Sequence, residues 1–525
     1  MSTTIVNVKL RAQKPFTNEP PTDFSKEEQK HAQAEALEQV KSELGRTYPL
    51  IIGGKKITSE QTFASINPAQ PGQIIGHFVQ GTVEQADQAI QVAATTFETW
   101  KRVSAEERVG YLFAAADLLR QRRFYINAWM IYEVGKSWLE ADGDTAEAID
   151  FLEFYAREAL RLAEPQPIIP AQGEHNQLVY IPLGVGVVIA PWNFPCGILV
   201  GMTSASFVTG NAIVLKPAST APATAYQFVR ILKEIGLPDG VVNFLTGSGS
   251  VVGDALVDNP QTRFVAFTGS RNVGLHIYER ASKYQKGQRW LKRSVLEMGG
   301  KDAVVVDETA DLEAAATGIV TSAFGFQGQK CSAGSRAIIV KEVYDQVLQK
   351  VVEKTKHLTP GDVTRPETFI GPVIDQNAMK KIVEYIEIGK SEGRLVLGGG
   401  HHGPGYFVEP TIFGDVDPHA RIAQEEIFGP VLAVIKAQDF DDALHIANDT
   451  EYGLTGSLYS TDEERIERAK QEYHVGNLYF NRKCTGALVG THPFGGFNMS
   501  GTDSKAGGRD YLLLFTQAKT ISTKL

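Results

Sequence analysis

Residues 184–190 read GVGVVIA, 211–217 NAIVLKP, 241–247 VVNFLTG and 262–269 TRFVAFTG. Each is an apolar run of strand length bounded by turn residues, and amphipathic stretches such as ATAYQFVRILKEIG, residues 223–236, stand between them. Strands that alternate with helices predict a parallel sheet with crossover helices, hence an α/β fold. In such an open sheet ligands bind beyond the carboxyl ends of the strands, so the turns there are where a nucleotide would sit. Two turns are glycine rich: Gly247, Gly249 and Gly253 in TGSGSVVG, and Gly269 and Gly274 in TGSRNVG. Each joins a strand to a helix, where backbone amides and the helix dipole can receive a phosphate. Neither is the GxGxxG fingerprint, and a glycine-rich turn alone is more often a tight connection than a cofactor site.

Toward the C-terminus a second alternation begins at LEMGGKDAVVV, residues 296–306, and predicts a second α/β domain. An apolar helix-like run from Leu312 to Phe326 leads through FGFQGQKCSAGSR, residues 324–336, into a strand from Ala337 to Val340. Cys331 is the centre of that turn. A thiol is nucleophilic only as thiolate, so catalysis would require a base, a cation or helix amides nearby. A cysteine taken alone is more often a small buried hydrophobe. The His401 and His402 pair, in GGGHHGPGYFVEP, reads as a solvated loop rather than a metal site. The end of the chain, YLLLFTQAKTISTKL, is an apolar tail that needs something to pack on.

Toward the N-terminus Ser25 opens a helical run with Glu28 at capping-box spacing, Leu37, Val40 and Leu44 on one face, and Gly45 at the stop. The runs TVEQADQAIQVAATTFETW and SAEERVGYLFAAADLLRQRR open with the same signal, and a further helix is expected from Thr145 to Ala163. These read as packing scaffold.

The 525 residues exceed one ordinary core, and a composition of 43% hydrophobic and 22% charged residues is that of a globular protein. A formal net charge of -9 gives no encouragement to nucleic acid or anionic membrane as a partner. Cys196, Cys331 and Cys484 are odd in number and widely spaced, which indicates neither a disulfide framework nor a structural metal and fits a reducing cytoplasm. MSTTIVNVKLRAQK has no signal-peptide pattern. From His175 to Leu215 there is no charged side chain, yet Pro182, Pro191, Asn193 and Pro195 interrupt it, so buried strand, loop and helix are expected in place of a membrane span.

PWNFP (191–195), LKPAS (215–219), FTGS (267–270), LEMGGK (296–301), GQKCSAGSR (328–336), EEIFGP (425–430) and PFGGFNMSG (493–501) occur in that order. Together they resemble the aldehyde dehydrogenase superfamily from about Tyr48 to the C-terminus. EPPTDFSKEE (19–28), FGFQGQKCSAGSR and TGALVGTHPFGGFNMSGTDSKAGGRDYL (485–512) resemble more narrowly the delta-1-pyrroline-5-carboxylate dehydrogenases, which oxidise glutamate semialdehyde to glutamate. The resemblance implies a Rossmann-like cofactor domain (48–165 and 184–297), a catalytic domain (298–500), a small β oligomerisation element (166–183 and 501–525) and an N-terminal arm (1–47). A homo-oligomer, dimeric or dimer-based, is the implied assembly.

The resemblance also implies roles. Cys331 would attack the aldehyde, Asn193 and the Cys331 amide would hold the oxyanion, and Glu297 would activate the hydrolytic water. For the cofactor, NAD, it implies Lys216 and Glu426 at the riboses, the turn of Gly269, Ser270 and Gly274 at the pyrophosphate, Gly247 nearby, and Phe428 beside the nicotinamide. Ser219 stands where many NAD-dependent relatives carry a glutamate, which leaves NADP open. For the substrate it implies Ser332, Gly486 and Ala487 on the carboxylate, Phe194 and Phe494 around the aliphatic part, and added charge from Lys330. Two other readings stand beside this one: a dehydrogenase for another semialdehyde such as succinate semialdehyde, and an inactive protein on the same fold, which would be expected to have lost Cys331 or Glu297.

Overall fold

A computed structural model describes residues 3–525. The decisive stretch forms one seven-stranded sheet, in the order Arg293–Glu297, Thr262–Thr268, Val185–Ile189, Ala212–Lys216, Val242–Phe244, Leu50–Ile52 and Lys55–Ile57. The first five are parallel, and the last two add an antiparallel hairpin at the edge. Ala212–Lys216 is buried along its whole length, as expected of a strand covered on both faces. Because the five strands run parallel, Ile189, Lys216, Phe244, Thr268 and Glu297 all end at one edge.

The chain crosses from this sheet to the second within five residues, 298–302. The second sheet also has seven strands, in the order Arg394–Leu397, Thr411–Gly414, Val431–Ala437, Arg336–Val340, Ala303–Val306, Thr455–Tyr459 and Asn477–Phe480, parallel except at the Arg394–Leu397 edge. The fully buried Arg336 fixes the crossing. Its guanidinium donates to Lys301 O at 2.9 Å, Ile446 O at 3.0 Å and Ala447 O at 2.9 Å, so a charge that would be costly unpaired is spent on three carbonyls.

Three local expectations need correction. Ser25 does not cap its helix: Glu27–Glu43 starts after Lys26 with no side-chain cap, because the Ser25 hydroxyl donates to Asp23 at 2.6 Å instead. The helix expected from Thr145 starts at Trp138, capped by Ser137, and runs to Ala163. Asp142, Gly143 and Asp144 look like a break, but the carboxylates have distant partners: Arg123 and Thr22 hold Asp142, while Lys136 and the Gly197 amide hold Asp144. The apolar tail is two things. Tyr511, Leu512 and Phe515 are buried in a short 3-10 turn, whereas Thr516–Lys524 pairs antiparallel with Glu174–Pro182 and is exposed after Thr516. The Thr82 capping box forms in full, and Ser104 accepts from the Glu107 amide. Among the described residues no helix is long and apolar enough to cross a membrane.

Candidate active site

Cys331 sits on the turn between the helix Leu312–Phe324 and the strand Arg336–Val340. The turn is tight: Phe326 and Gln327 take φ of 48° and 58°, a left-handed conformation that side chains adopt only when the surroundings hold them. Gln327 is held by donating to Gly135 O and Pro372 O, and Gln329 by accepting from the Ile374 amide at 2.9 Å. Cys331 is partly buried. Burial, with the carboxylates of Asp302, Glu426 and Glu297, pushes its thiol well above the ordinary cysteine range, so the resting group is the thiol.

The neighbouring pieces arrive from four parts of the chain. Asn193, buried, donates to Gln329 O at 3.1 Å, which places its amide beside the thiol-bearing turn and leaves its second N–H free. The Cys331 backbone amide has no protein partner among the described residues. Gly300 lies so close behind that a methyl there would fall 2.6 Å from Cys331 O. Glu426 accepts from the Gly300 amide at 3.2 Å. Phe428 packs edge to face on Trp192 at 5.6 Å, and Trp192 meets Phe326 at 6.4 Å.

Glu297 is buried at the end of its strand. One carboxyl oxygen accepts from the Ser504 hydroxyl, and the other, Oε2, has no hydrogen-bond partner among the described residues. Lys505 stands beside it, its ammonium held by Gly476 O and Gly495 O at 2.6 Å each. Burial pushes this carboxyl up to about 8 against the hydroxyl and the ammonium, which favour the ionised form. Ser504 and Lys505 lie in the quoted 485–512 block, yet nothing in their spacing marks them as partners of a residue 207 positions earlier.

At the carboxyl edge of the first sheet Lys216 is buried and, among the described residues, donates only to Pro217 O, at 3.3 Å; burial lowers its pKa to about 8. Ser219 is exposed and donates to Gly247 O at 3.3 Å. Ser270 precedes the helix Arg271–Ser282 without capping it, so its first-turn amides have no side-chain partner. Gly274 has a packing reason of its own: a methyl there would lie 2.3 Å from Met298 Sδ, so only glycine lets this helix rest on the crossing segment. These groups fit a dinucleotide, with unpaired amides for an anion and a cation and a carboxylate for hydroxyls.

On the opposite side, Cys484 donates its thiol to Ser332 O at 3.4 Å and brings the loop of Gly486 and Ala487 next to Ser332. The Ser332 hydroxyl and the Gly486 and Ala487 amides make no hydrogen bond to a described residue. Gly486 takes φ of +79°, and Arg482 donates to Thr485 O at 2.8 Å and Gly486 O at 3.0 Å. Lys330, expected to add charge for the substrate, is spent on Glu140 at 2.7 Å, whereas Lys483 has its stem 3.3 Å from the position of a Gly486 methyl. Phe194 is partly buried with the Lys136 ammonium 4.0 Å from its ring centre. Phe494 is bridged to Ala506.

An α/β chain that gathers a thiol, a free amide and a buried carboxyl next to a dinucleotide-type strand edge has the layout of a thiol-dependent dehydrogenase. Residues 56–521 match the Aldehyde dehydrogenase family, and the chain belongs to it. It is 60% identical over 509 residues to 1-pyrroline-5-carboxylate dehydrogenase of Geobacillus kaustophilus (strain HTA426), covering 97% of this chain and 99% of that one. To 1-pyrroline-5-carboxylate dehydrogenase 2 of Bacillus subtilis (strain 168) it is 57% identical, with the same coverage. The fold is similar to that of 1-pyrroline-5-carboxylate dehydrogenase from Thermus with bound NAD, at a TM-score of 0.96 and 50% identity over 98% of this chain and 99% of that one.

Proposed function

We propose that this chain oxidises L-glutamate γ-semialdehyde, the open form of 1-pyrroline-5-carboxylate, to L-glutamate with NAD. One observation carries the substrate: beside the thiol, a hydroxyl and two adjacent amides stand without protein partners, in a chain 60% identical to a protein named for this reaction. Three neutral donors around one point suit a carboxylate, which accepts several hydrogen bonds at once.

Cys331 gives up its proton to solvent water, and its sulfur bonds to the aldehyde carbon. The resulting alkoxide is held by the free N–H of Asn193 and the Cys331 amide, donors worth about 3 kcal/mol each in such sites. NAD, when bound, supplies the hydride acceptor, with Lys216 and Glu426 at its riboses, the Ser270 helix start at the pyrophosphate and Phe428 beside the ring. Loss of hydride from the alkoxide leaves a thioester on Cys331. Glu297 then takes a proton from water, the water oxygen bonds to the acyl carbon, and the C–S bond breaks with its electron pair on sulfur, which releases glutamate and restores the Cys331 thiolate. Ser219 presents no carboxylate to repel a 2′-phosphate, so NADP is the second cofactor to assay.

The exposed ribbon of Glu174–Pro182 and Thr516–Lys524 supports a homo-oligomer, since an isolated two-stranded ribbon is marginal in water. Three unpaired thiols suit a cytoplasmic setting.

Two expected results test this reading. Replacing Ser332 by alanine should raise KM for glutamate semialdehyde about tenfold, the order for one hydrogen bond to a charged group, and leave pentanal nearly unaffected. Equal losses for both substrates would assign Ser332 to the support of the cysteine instead. The second concerns pH. A base must be ionised to act, so hydrolysis-limited kcat should rise with pH through about 8 and level off above it. A profile that falls across that window would remove Glu297 from the role.

A further inference from the structure

The irregular segment that precedes the helix Glu27–Glu43 lies along the helix Trp138–Ala163 and reaches the loop that carries Gly486 and Ala487. Phe16 packs edge to face on Phe154 at 5.3 Å, the Glu19 amide donates to Asp150 at 2.6 Å, and the Thr22 amide donates to Asp142 at 2.7 Å. Asn18 spends its whole carboxamide at this junction. Its Nδ2 donates to Asp150 Oδ2 at 2.8 Å and to Val489 O at 2.9 Å, and its Oδ1 accepts from Thr491 Oγ1 at 3.4 Å. Between those two loop residues Gly490 takes φ of +76°, and a methyl there would lie 3.0 Å from Phe154 and 3.1 Å from Phe16.

The loop is therefore pinned at both ends. Arg482, with its guanidinium 4.2 Å from the Tyr479 ring centre, holds the Thr485 and Gly486 carbonyls, and the N-terminal arm holds Val489 to Thr491. Between the pins the Gly486 and Ala487 amides are left without partners. Two amides can grip a carboxylate only if they are already aligned, because ordering them on binding would consume the affinity they give.

The geometry points to Asn18 as a positioning residue for substrate: the N-terminal arm sets the loop so that its free amides select aldehydes bearing a carboxylate. This rests on the reading of Gly486 and Ala487 as the carboxylate anchor. Asn18 touches no reacting group. Its two contacts on the loop are its route to the site, so its loss should appear in KM for carboxylate-bearing substrates and spare kcat.

The test is kcat and KM for glutamate semialdehyde and pentanal with the full-length wild type, Asn18→Ala and Phe16→Ala, the pentanal rate serving as the check that each variant is folded. Asn18→Ala should raise KM for glutamate semialdehyde about fivefold, the effect of one ordinary hydrogen bond, with kcat and the pentanal kcat/KM within about twofold of wild type. Phe16→Ala, which loosens the same loop at Gly490 without touching Asp150, should move KM in the same direction. Unchanged KM in both variants, or equal losses for both substrates, overturns the role of the arm while leaving the anchor intact. A wild type that shows no preference for glutamate semialdehyde over pentanal overturns the anchor reading, and the arm's role with it.

Discussion

Replacing Cys331 by alanine should abolish aldehyde oxidation and leave NAD binding within about twofold of wild type, because in the proposed mechanism the thiol supplies the covalent step and the cofactor is held by other groups. Lys216, Ser270 and Glu426 are each held by contacts that do not involve the Cys331 side chain: Lys216 by Pro217 O, the Ser270 carbonyl by the Gly274 amide and Glu426 by the Gly300 amide. Turnover with glutamate semialdehyde and NAD titration by quenching of protein fluorescence separate the two effects. Retention of more than about a hundredth of wild-type turnover would contradict a covalent mechanism.

Glu297→Gln should slow hydrolysis by about a hundredfold or more, since general-base assistance is worth that much and an amide cannot take the proton. The side chain is nearly isosteric, and its amide oxygen can keep the Ser504 hydroxyl, so the site should stay assembled. In the proposed mechanism the thioester forms without this group. The expected trace on rapid mixing is a burst of reduced cofactor followed by a slow steady state. Equal loss of burst and steady state would place Glu297 in acylation instead.

Local pattern was enough for the strands and for two of the caps, because burial on both faces writes a continuous apolar run and a cap needs only its own four residues. It also sufficed to place Cys331 on a turn between an apolar helix and a strand. Partnerships across the chain left no such trace. Lys330 meets Glu140 from 190 residues away, and Asn18 meets Val489 from 471. The cap expected at Ser25 and the helix start expected at Thr145 failed for one physical reason: side chains that can cap or break a helix, Ser25 and the Asp142 and Asp144 carboxylates, are claimed by other partners. In the first case it is a neighbour, Asp23; in the second the partners come from the fold. Arg482 and Ser504 had no visible role in the sequence, since what each does is set by a backbone carbonyl or a carboxyl that only the folded chain brings near.

On the proposed mechanism glutamate semialdehyde, once bonded to the sulfur of Cys331, loses hydride and becomes a thioester. The most direct measurement uses the Glu297→Gln protein, mixed with NAD and glutamate semialdehyde, quenched in acid during the burst, digested and examined by mass spectrometry. The expected result is a glutamyl group on the peptide that carries Cys331, in an amount equal to the reduced cofactor formed in the burst. Reduced cofactor formed while that peptide remains unmodified would contradict it.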